Sequence, residues 1–425
     1  MLTKHSLLAL HENFDALHKE NALKTMRETA WKHCLHASFP GKQDQGWHYF
    51  PFHQFYEIAP SASSKSSFVP SLEELLSHVQ PECRESYFFF LDGAFIPELS
   101  NFKSISHDVV ALPLTSAMNT YGSFIENRWN KMFKEDKDFL SLLNQALHPE
   151  GLFFYLPPNT TLKVPVQTLS LSTNPNIPSF TRILLFLAER SQINWISSGW
   201  GSGIRHLFVD ISLEEGASSS HTSLSDSEEG WTFNSLRTTL KRDAYFQYFA
   251  ACFAPAILRQ NIKTILLGER SQAILQGIWN LRQQAQAHLY VDVEHLSPSA
   301  KSLQKFKGVL SGFSQSSFEG RIYVHPQAQK TEAFQLNQNL LLVETGAPRA
   351  YARPSLEIFT DDVKASHGAT VAQLDEEELF YLKSRAISLE TSKRLLIQGF
   401  LREIIDSLPL PSIQRLAQQY AFQSF

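Results

Sequence analysis

Hydrophobic and polar residues alternate most regularly at Leu289-Tyr-Val-Asp-Val-Glu294, where Leu289, Val291 and Val293 share one face at a period of two. That is the pattern of a strand with one side on a core. From about Gly151, short apolar or alternating runs follow one another: 152–156, 162–171, 183–187, 204–213, 231–240, 245–252, 262–267, 287–293, 306–310, 322–324, 339–343 and 356–359. They are closely spaced, with no intervening helix long enough for a βαβ crossover, and so predict an all-β central domain. Sandwich, barrel and solenoid all satisfy this pattern, and no fixed sequence repeat chooses among them.

On both sides the period lengthens. Phe14, Leu17, Leu23, Met26 and Ala30 recur at helical spacing within residues 1–36, and 71–79 and 131–146 are further helical patches. Phe39–Phe50 reads as a loop anchored by Trp47 and Phe50, Ser61–Ser67 as a low-complexity loop, and Ala217–Gly230 as a long surface excursion. Near the other end, Asp361-Asp362 and Ser366-His367-Gly368 read as a polar turn. Asp375 with Glu378 reads as an N-cap and capping-box partner, opening a helix with Leu379, Phe380, Leu382 and Ala386. Leu389, Leu395, Leu396, Phe400, Leu401, Ile404, Ile405 and Leu408 continue a stripe that Pro409 and Pro411 stop, before a short helix with Ile413, Leu416 and Tyr420. The predicted domains are therefore 1–150, mainly helical; 151–374, β; and 375–425, helical.

With 425 residues, 43% of them hydrophobic, the chain can bury substantial cores in two or three domains. A net charge of -4 gives no basic field for nucleic acid or an anionic membrane. Glu12, Asp15 and Lys19 interrupt any signal-peptide core, and Phe249–Leu258, among the longest apolar runs, is too short to span a bilayer. A cytoplasmic protein is expected.

Cys34, Cys83 and Cys252 are far apart with no CxxC pair, which suits a reducing compartment and cannot supply a four-thiolate iron–sulfur cluster. Gly41-Lys42 has His36 and Gln43 where a phosphate-binding loop needs Gly and Ser/Thr, and Gly201-Ser-Gly203 lacks the third glycine of a dinucleotide fingerprint. Cys252, among Ala250, Ala251, Phe253 and Ala254, reads as a small buried hydrophobe. Cys34 sits between His33 and His36, but near neighbours on a helix point in different directions, which disfavours a metal site. Asp361 and Asp362 are candidate iron-attracting carboxylates or solvated turn residues, and Glu376–Glu378 favour a helix N-terminus. Gln335, Asn337, Gln338 and Asn339 suit either amide ladders or an exposed turn. His367 is a lone histidine, a residue type more often structural or exposed than a ligand, although its neutral imidazole is a borderline donor able to bind iron.

One set of segments carries a family resemblance. Phe306-Lys-Gly-Val-Leu310, Gly320-Arg-Ile-Tyr-Val324, Ala328-Gln-Lys-Thr331, Asn339-Leu-Leu-Leu342, Leu356-Glu-Ile-Phe359, Asp361-Asp-Val-Lys364, Ser366-His-Gly-Ala-Thr370 and Asp375 to Arg385 run in one order. They resemble the SufB/SufD family, scaffolds of the SUF iron–sulfur cluster assembly machinery, and SufD more than SufB. The resemblance implies a right-handed parallel β-helix core flanked by N-terminal and C-terminal α-helical domains. It implies a scaffold rather than an enzyme, with no catalytic residues and no cofactor held stably by this chain alone. A SufB-like partner would meet the end of the β-helix, and a SufC-like ATPase, where ATP is hydrolysed, would dock on the C-terminal helices. His367 would then be an interface ligand of a transient iron–sulfur cluster. Many SufD proteins carry cysteine two residues before this histidine, where this chain has Ala365, so a thiolate there is absent. Two rivals are a β-solenoid carbohydrate-active enzyme, which needs converging acidic and basic groups, and a SufB-like homodimeric scaffold.

Overall fold

The computed structural model describes residues 22–37, 40–56, 68–135, 138–175, 177–225, 230–253, 256–343 and 346–422; Phe14, Leu17 and the Ser61–Ser67 loop lie outside them. The strands, in order, are β1 (Tyr87–Leu91), β2 (Ala94–Phe95), β3 (Val110–Pro113), β4 (Leu152–Leu156), β5 (Val166–Ser172), β6 (Ser179–Leu187), β7 (Gln192–Gly201), β8 (Ile204–Leu213), β9 (Ser218–Ser225) and β10 (Trp231–Leu240). They continue as β11 (Tyr245–Phe253), β12 (Ile257–Leu266), β13 (Gln272–Leu281), β14 (Gln286–His295), β15 (Lys301–Ser311), β16 (Gln315–Val324), β17 (Thr331–Leu342), β18 (Arg349–Ile358) and β19 (Val363–Ala372).

Two sheets result. One runs β19-β17-β15-β13-β11-β9-β7-β5-β1-β2 and the other β18-β16-β14-β12-β10-β8-β6-β4-β3. From β4 onward the chain visits the sheets alternately, and from β6 onward each strand pairs in parallel with the strand two before, as β8 with β10 and β10 with β12. A chain that does this winds a solenoid, here a parallel one of about 7 turns with helices at both ends. The architectures left open by alternation thus reduce to the predicted one.

Each coil buries little alone, and stacking makes the core continuous. Val209, Leu236, Ile262 and Val291 occupy one inward row across β8, β10, β12 and β14, all buried. Burial of each such side chain contributes roughly 1.5–3 kcal/mol.

The turns from even to odd strands repeat a backbone conformation. Arg190, Gly216, Asp243, Arg270, Ser299 and Lys330 all have positive φ. Each N–H donates to a carbonyl of the next coil's turn, on Glu215, Arg242, Glu269, Pro298, Gln329 and Asp362, at 2.6–3.2 Å. The following residues, Ser191, Ala217, Ala244, Ser271, Ala300 and Thr331, are small and buried. This small residue, roughly every 26 to 31 positions, is the solenoid's repeat. One position is too faint a signal to find before the turns are known. Gly201, closing the turn into β8, has φ +103°, and a Cβ there would lie 2.0 Å from the Ser172 carbonyl oxygen.

Helices cover the outer faces. α1 (Lys24–His36), α2 (Leu114–Glu135) and α3 (Phe139–Leu147) lie over the even-strand sheet, with Ala30, Trp31 and Leu143 packing in one cluster with Phe180 and Phe233. The helical patch expected over 131–146 is two helices, α3 starting where Asp138 caps it by accepting from the Ser141 N–H at 2.9 Å. The Arg128 side chain of α2 forks onto Asp210 of β8 at 2.6 and 3.2 Å. On the odd-strand sheet, α5 (Leu389–Ile405) and α6 (Pro411–Phe422) follow α4 (Glu376–Ser384) and place Ile397, Leu401, Ile404 and Ile413 against Phe249, Ile278 and Val309. Among the described residues, no helix is long and apolar enough to cross a membrane.

The expected surface excursion over Ala217–Gly230 is corrected: Ser218–Ser225 is β9, inside the stack. Its inward side chains find polar partners on the preceding coil and across the interior on β10. His221 Nε2 lies 3.0 Å from Ser197 Oγ, and Asn234 donates to Ser223 and Ser225 at 3.3 and 3.1 Å. Hydrogen bonds to adjacent rungs make a polar strand tolerable in a core.

Candidate interface site at the open end of the solenoid

Interior strands of both sheets pair on two sides, whereas β18 pairs only with β16 and β19 only with β17. The last coil therefore presents two unpaired strand edges and its inward-facing row to the exterior. Residues that would be buried elsewhere in the stack are exposed here, Val371 to 46%.

His367 lies in this row. It is mid-strand in β19 and opposite Gln335 of β17, so the polar turn expected at Ser366-His367-Gly368 is corrected. The turn is instead at 359–362, where the Asp362 carbonyl receives the last rung of the turn ladder from Lys330 at 2.6 Å. A complete strand edge on β17 overrides the weak β-propensity of Ser, His and Gly.

Register shows which way the ring faces. Gln335 is 2% exposed and belongs to the inward row of β17, so its parallel partner His367 is on the inward side of β19, at the mouth. Ala365 stands two residues earlier on the same side, leaving no thiol beside the ring. The choice left open for Gln335, Asn337 and Asn339 resolves as buried amides: Gln335 Nε2 donates across coils to Gln304 Oε1 at 2.6 Å, and Asn339 Nδ2 donates along β17 to Asn337 Oδ1 at 2.7 Å. Sequence reasoning missed Gln304, which joins the same column through the β15–β17 register.

The other candidates do not converge on His367. Asp361 and Asp362 are exposed in the last turn, and Glu376–Glu378 form the first turn of α4, capped by Asp375 Oδ1 accepting from Glu377 and Glu378 N–H at 2.8 and 3.1 Å. Cys252 is buried on an inward row with Trp279, Gly308, Asn339 and Val371, four strand spacings or about 19 Å from the last strand. Burial, reinforced by Asp138, pushes the Cys34 thiol up to about 12; burial, with Glu82, does the same at Cys83. Neither is a thiolate near neutrality. Among the described residues, no three His, Cys, Asp or Glu side chains gather into a metal site. His367 is therefore not part of a metal-binding cluster within the described residues.

A second exposed surface lies beyond the solenoid. α4 buries none of its residues, and Phe380 and Tyr381 are 73% and 57% exposed, with Leu389 and Leu395 exposed on α5.

This arrangement has relatives. Residues 170–400 match the model of the SUF system FeS cluster assembly, SufBD core domain, and residues 3–168 match that of the SufBD protein N-terminal region. The chain belongs to the SufBD family. It is 27% identical over 399 residues to an iron–sulfur cluster assembly SufBD family protein of Synechocystis sp., covering 89% of this chain and 86% of that one. It is 23% identical over 315 residues to SufD of Bacillus subtilis, 72% of each chain, and 20% identical over 374 residues to SufB of the same organism, 84% of this chain and 79% of that one. The SufBD core model spans the coils from β5 through the last one and continues into α5.

Proposed function

We propose that this SufBD-family chain is a SufD-like scaffold subunit, pairing with a SufB-like subunit through the open end of its solenoid. The observation that carries this reading is the uncapped last coil. Two free strand edges offer backbone donors and acceptors for strand addition, and its exposed apolar row gains burial from a partner. Docking there would enclose His367, whose imidazole lone pair would bind iron delivered as cargo. Thiolate donors would come from the partner, since Cys34, Cys83 and Cys252 are all buried away from the mouth. The transient cluster would belong to the interface, with no cofactor held stably by this chain.

The exposed aromatic pair Phe380 and Tyr381, with Leu389 and Leu395, supports a docking surface for a SufC-like ATPase. This chain lacks a phosphate-binding loop, so ATP hydrolysis would occur in that partner and its closure would move the SufB–SufD interface. Co-expression tests the reading: the chain should co-purify with both partners in one complex. A folded chain that binds neither overturns it, and a mass equal to two copies of this chain would point to the homodimeric scaffold.

A further inference from the structure

The loop anchored by Trp47 and Phe50 does more than join two helices. Its residues 41–50 lie across the outside of the even-strand sheet and touch β10, β12, β14, β16 and β18 in turn. Phe50 packs against Trp231 and Phe233 of β10 and His288 of β14, with ring centroids 5.7–6.1 Å apart. The Arg259 guanidinium of β12 lies over the Trp47 ring, 4.3 Å from its centroid. On β16, Glu319 Oε2 accepts from the Gly46 N–H at 3.3 Å, and Gln315 Nε2 donates to the Tyr49 carbonyl at 3.4 Å. On β18 the Tyr351 ring stacks on Tyr49, centroids 4.4 Å and planes 11° apart. The turn that seats the segment admits one residue type: Gly46 has φ +82°, and a Cβ there would lie 2.6 Å from the Tyr290 ring of β14.

Interior strands are held along both edges, whereas β18 has only β16 beside it in its sheet. A terminal strand of this kind opens more readily than one inside the stack. We infer that residues 41–50 are a strap that keeps the last even strand ordered at the mouth. Gly46, Trp47 and Phe50 seat it on β10 to β16, and Tyr49 carries the hold onto Tyr351. A docking surface at one end of the chain is thus preorganised by a segment from the other end, which lowers the ordering entropy that a partner must overcome. That consequence rests on the pairing proposed above; the ordering of β18 is a property of this chain alone.

The test is hydrogen–deuterium exchange of the full chain, read on peptides from β18 and from β8, which the strap does not touch. Tyr49→Ala should speed exchange of the β18 amides bonded to β16 by at least about threefold, as loss of an aromatic pair does, and leave β8 unchanged. Tyr49→Phe, which keeps the ring, should exchange like the wild type. Gly46→Ala should act as Tyr49→Ala does, because its Cβ lifts the turn off Tyr290 without altering either stacked ring. Wild-type β18 exchange in Tyr49→Ala overturns the strap, whether or not Gly46→Ala folds. Affinity for a SufB-like partner should fall with the faster exchange; faster exchange with wild-type affinity would overturn the preorganisation. A wild-type chain that binds no such partner would instead sink the pairing and leave the exchange result standing.

Discussion

Replacing His367 with alanine separates assembly from folding. The ring is exposed in the last coil and makes no hydrogen bond among the described residues, and its strand is held by the β17–β19 backbone register. Truncating such a side chain changes stability by less than about 0.5 kcal/mol. In a protein of this size that moves Tm by less than about 2 °C. Partner binding, carried by strand edges and apolar contacts, should persist. Cluster loading should not: losing one donor of a shared site is expected to cost at least about tenfold, or about 1.4 kcal/mol. The assay is anaerobic reconstitution of the complex with ferrous iron and sulfide, followed by visible absorption and by iron and labile sulfide per complex. His367→Cys, which restores a softer donor, should recover part of the loading. Wild-type loading by a His367→Ala complex with unchanged Tm would refute the ligand role.

Asp210→Asn should destabilise the chain by about 3–5 kcal/mol in denaturant titrations, because it leaves Arg128 without its buried carboxylate, with Arg182 and Arg237 close by. Burial alone would raise the Asp210 pKa, but Arg128, with Arg237 and Arg182 behind it, brings it below the ordinary value. The pair's contribution is therefore present above the unfolded carboxyl pKa of about 3.9 and is lost as pH falls through the lower folded value. Burial pushes His206, His221, His288 and His295 down to about 3, helped at His206 by Arg182 and at His288 by Arg259. The unfolded chain protonates each near pH 6.5, so stability is complete above that value and falls toward pH 3, by about 1.4 kcal/mol per pH unit for each histidine. Urea midpoints should drop between about pH 7.5 and 5, and His221→Gln should flatten that slope. Phe380→Asp, on an exposed helix face, should leave Tm unchanged and weaken binding of a SufC-like ATPase by at least about 30-fold, as loss of a hot-spot aromatic does; equal affinity by calorimetry would remove α4 from that interface.

Where apolar residues recur at a period of two the strands were legible: residues 204–213 and 231–240 are β8 and β10 to the residue, with Val209, Ile211 and Leu213 and with Leu236 and Leu240 on the inward side. Asp375 was legible as an N-cap because capping needs only the local chain. Ser218–Ser225 was not, since its polar inward face is satisfied by Ser197 one coil back and by Asn234 across the interior, neither of which local sequence places there. The stripe Leu114, Ala117, Ile125 and Trp129 is present at helical spacing, and all four are buried, although the segment between them is largely polar.

By itself the sequence determined the succession of periods, the scarcity of thiols, and the pairing of a lone imidazole at 367 with alanine at 365. Only the tertiary structure decided that this imidazole stands at the mouth of a solenoid, on the inward row above Gln335 and Gln304. The reason is register. Parallel pairing between segments about one coil apart sets which side chains share a column, and a shift of one residue would have turned His367 outward, away from the mouth.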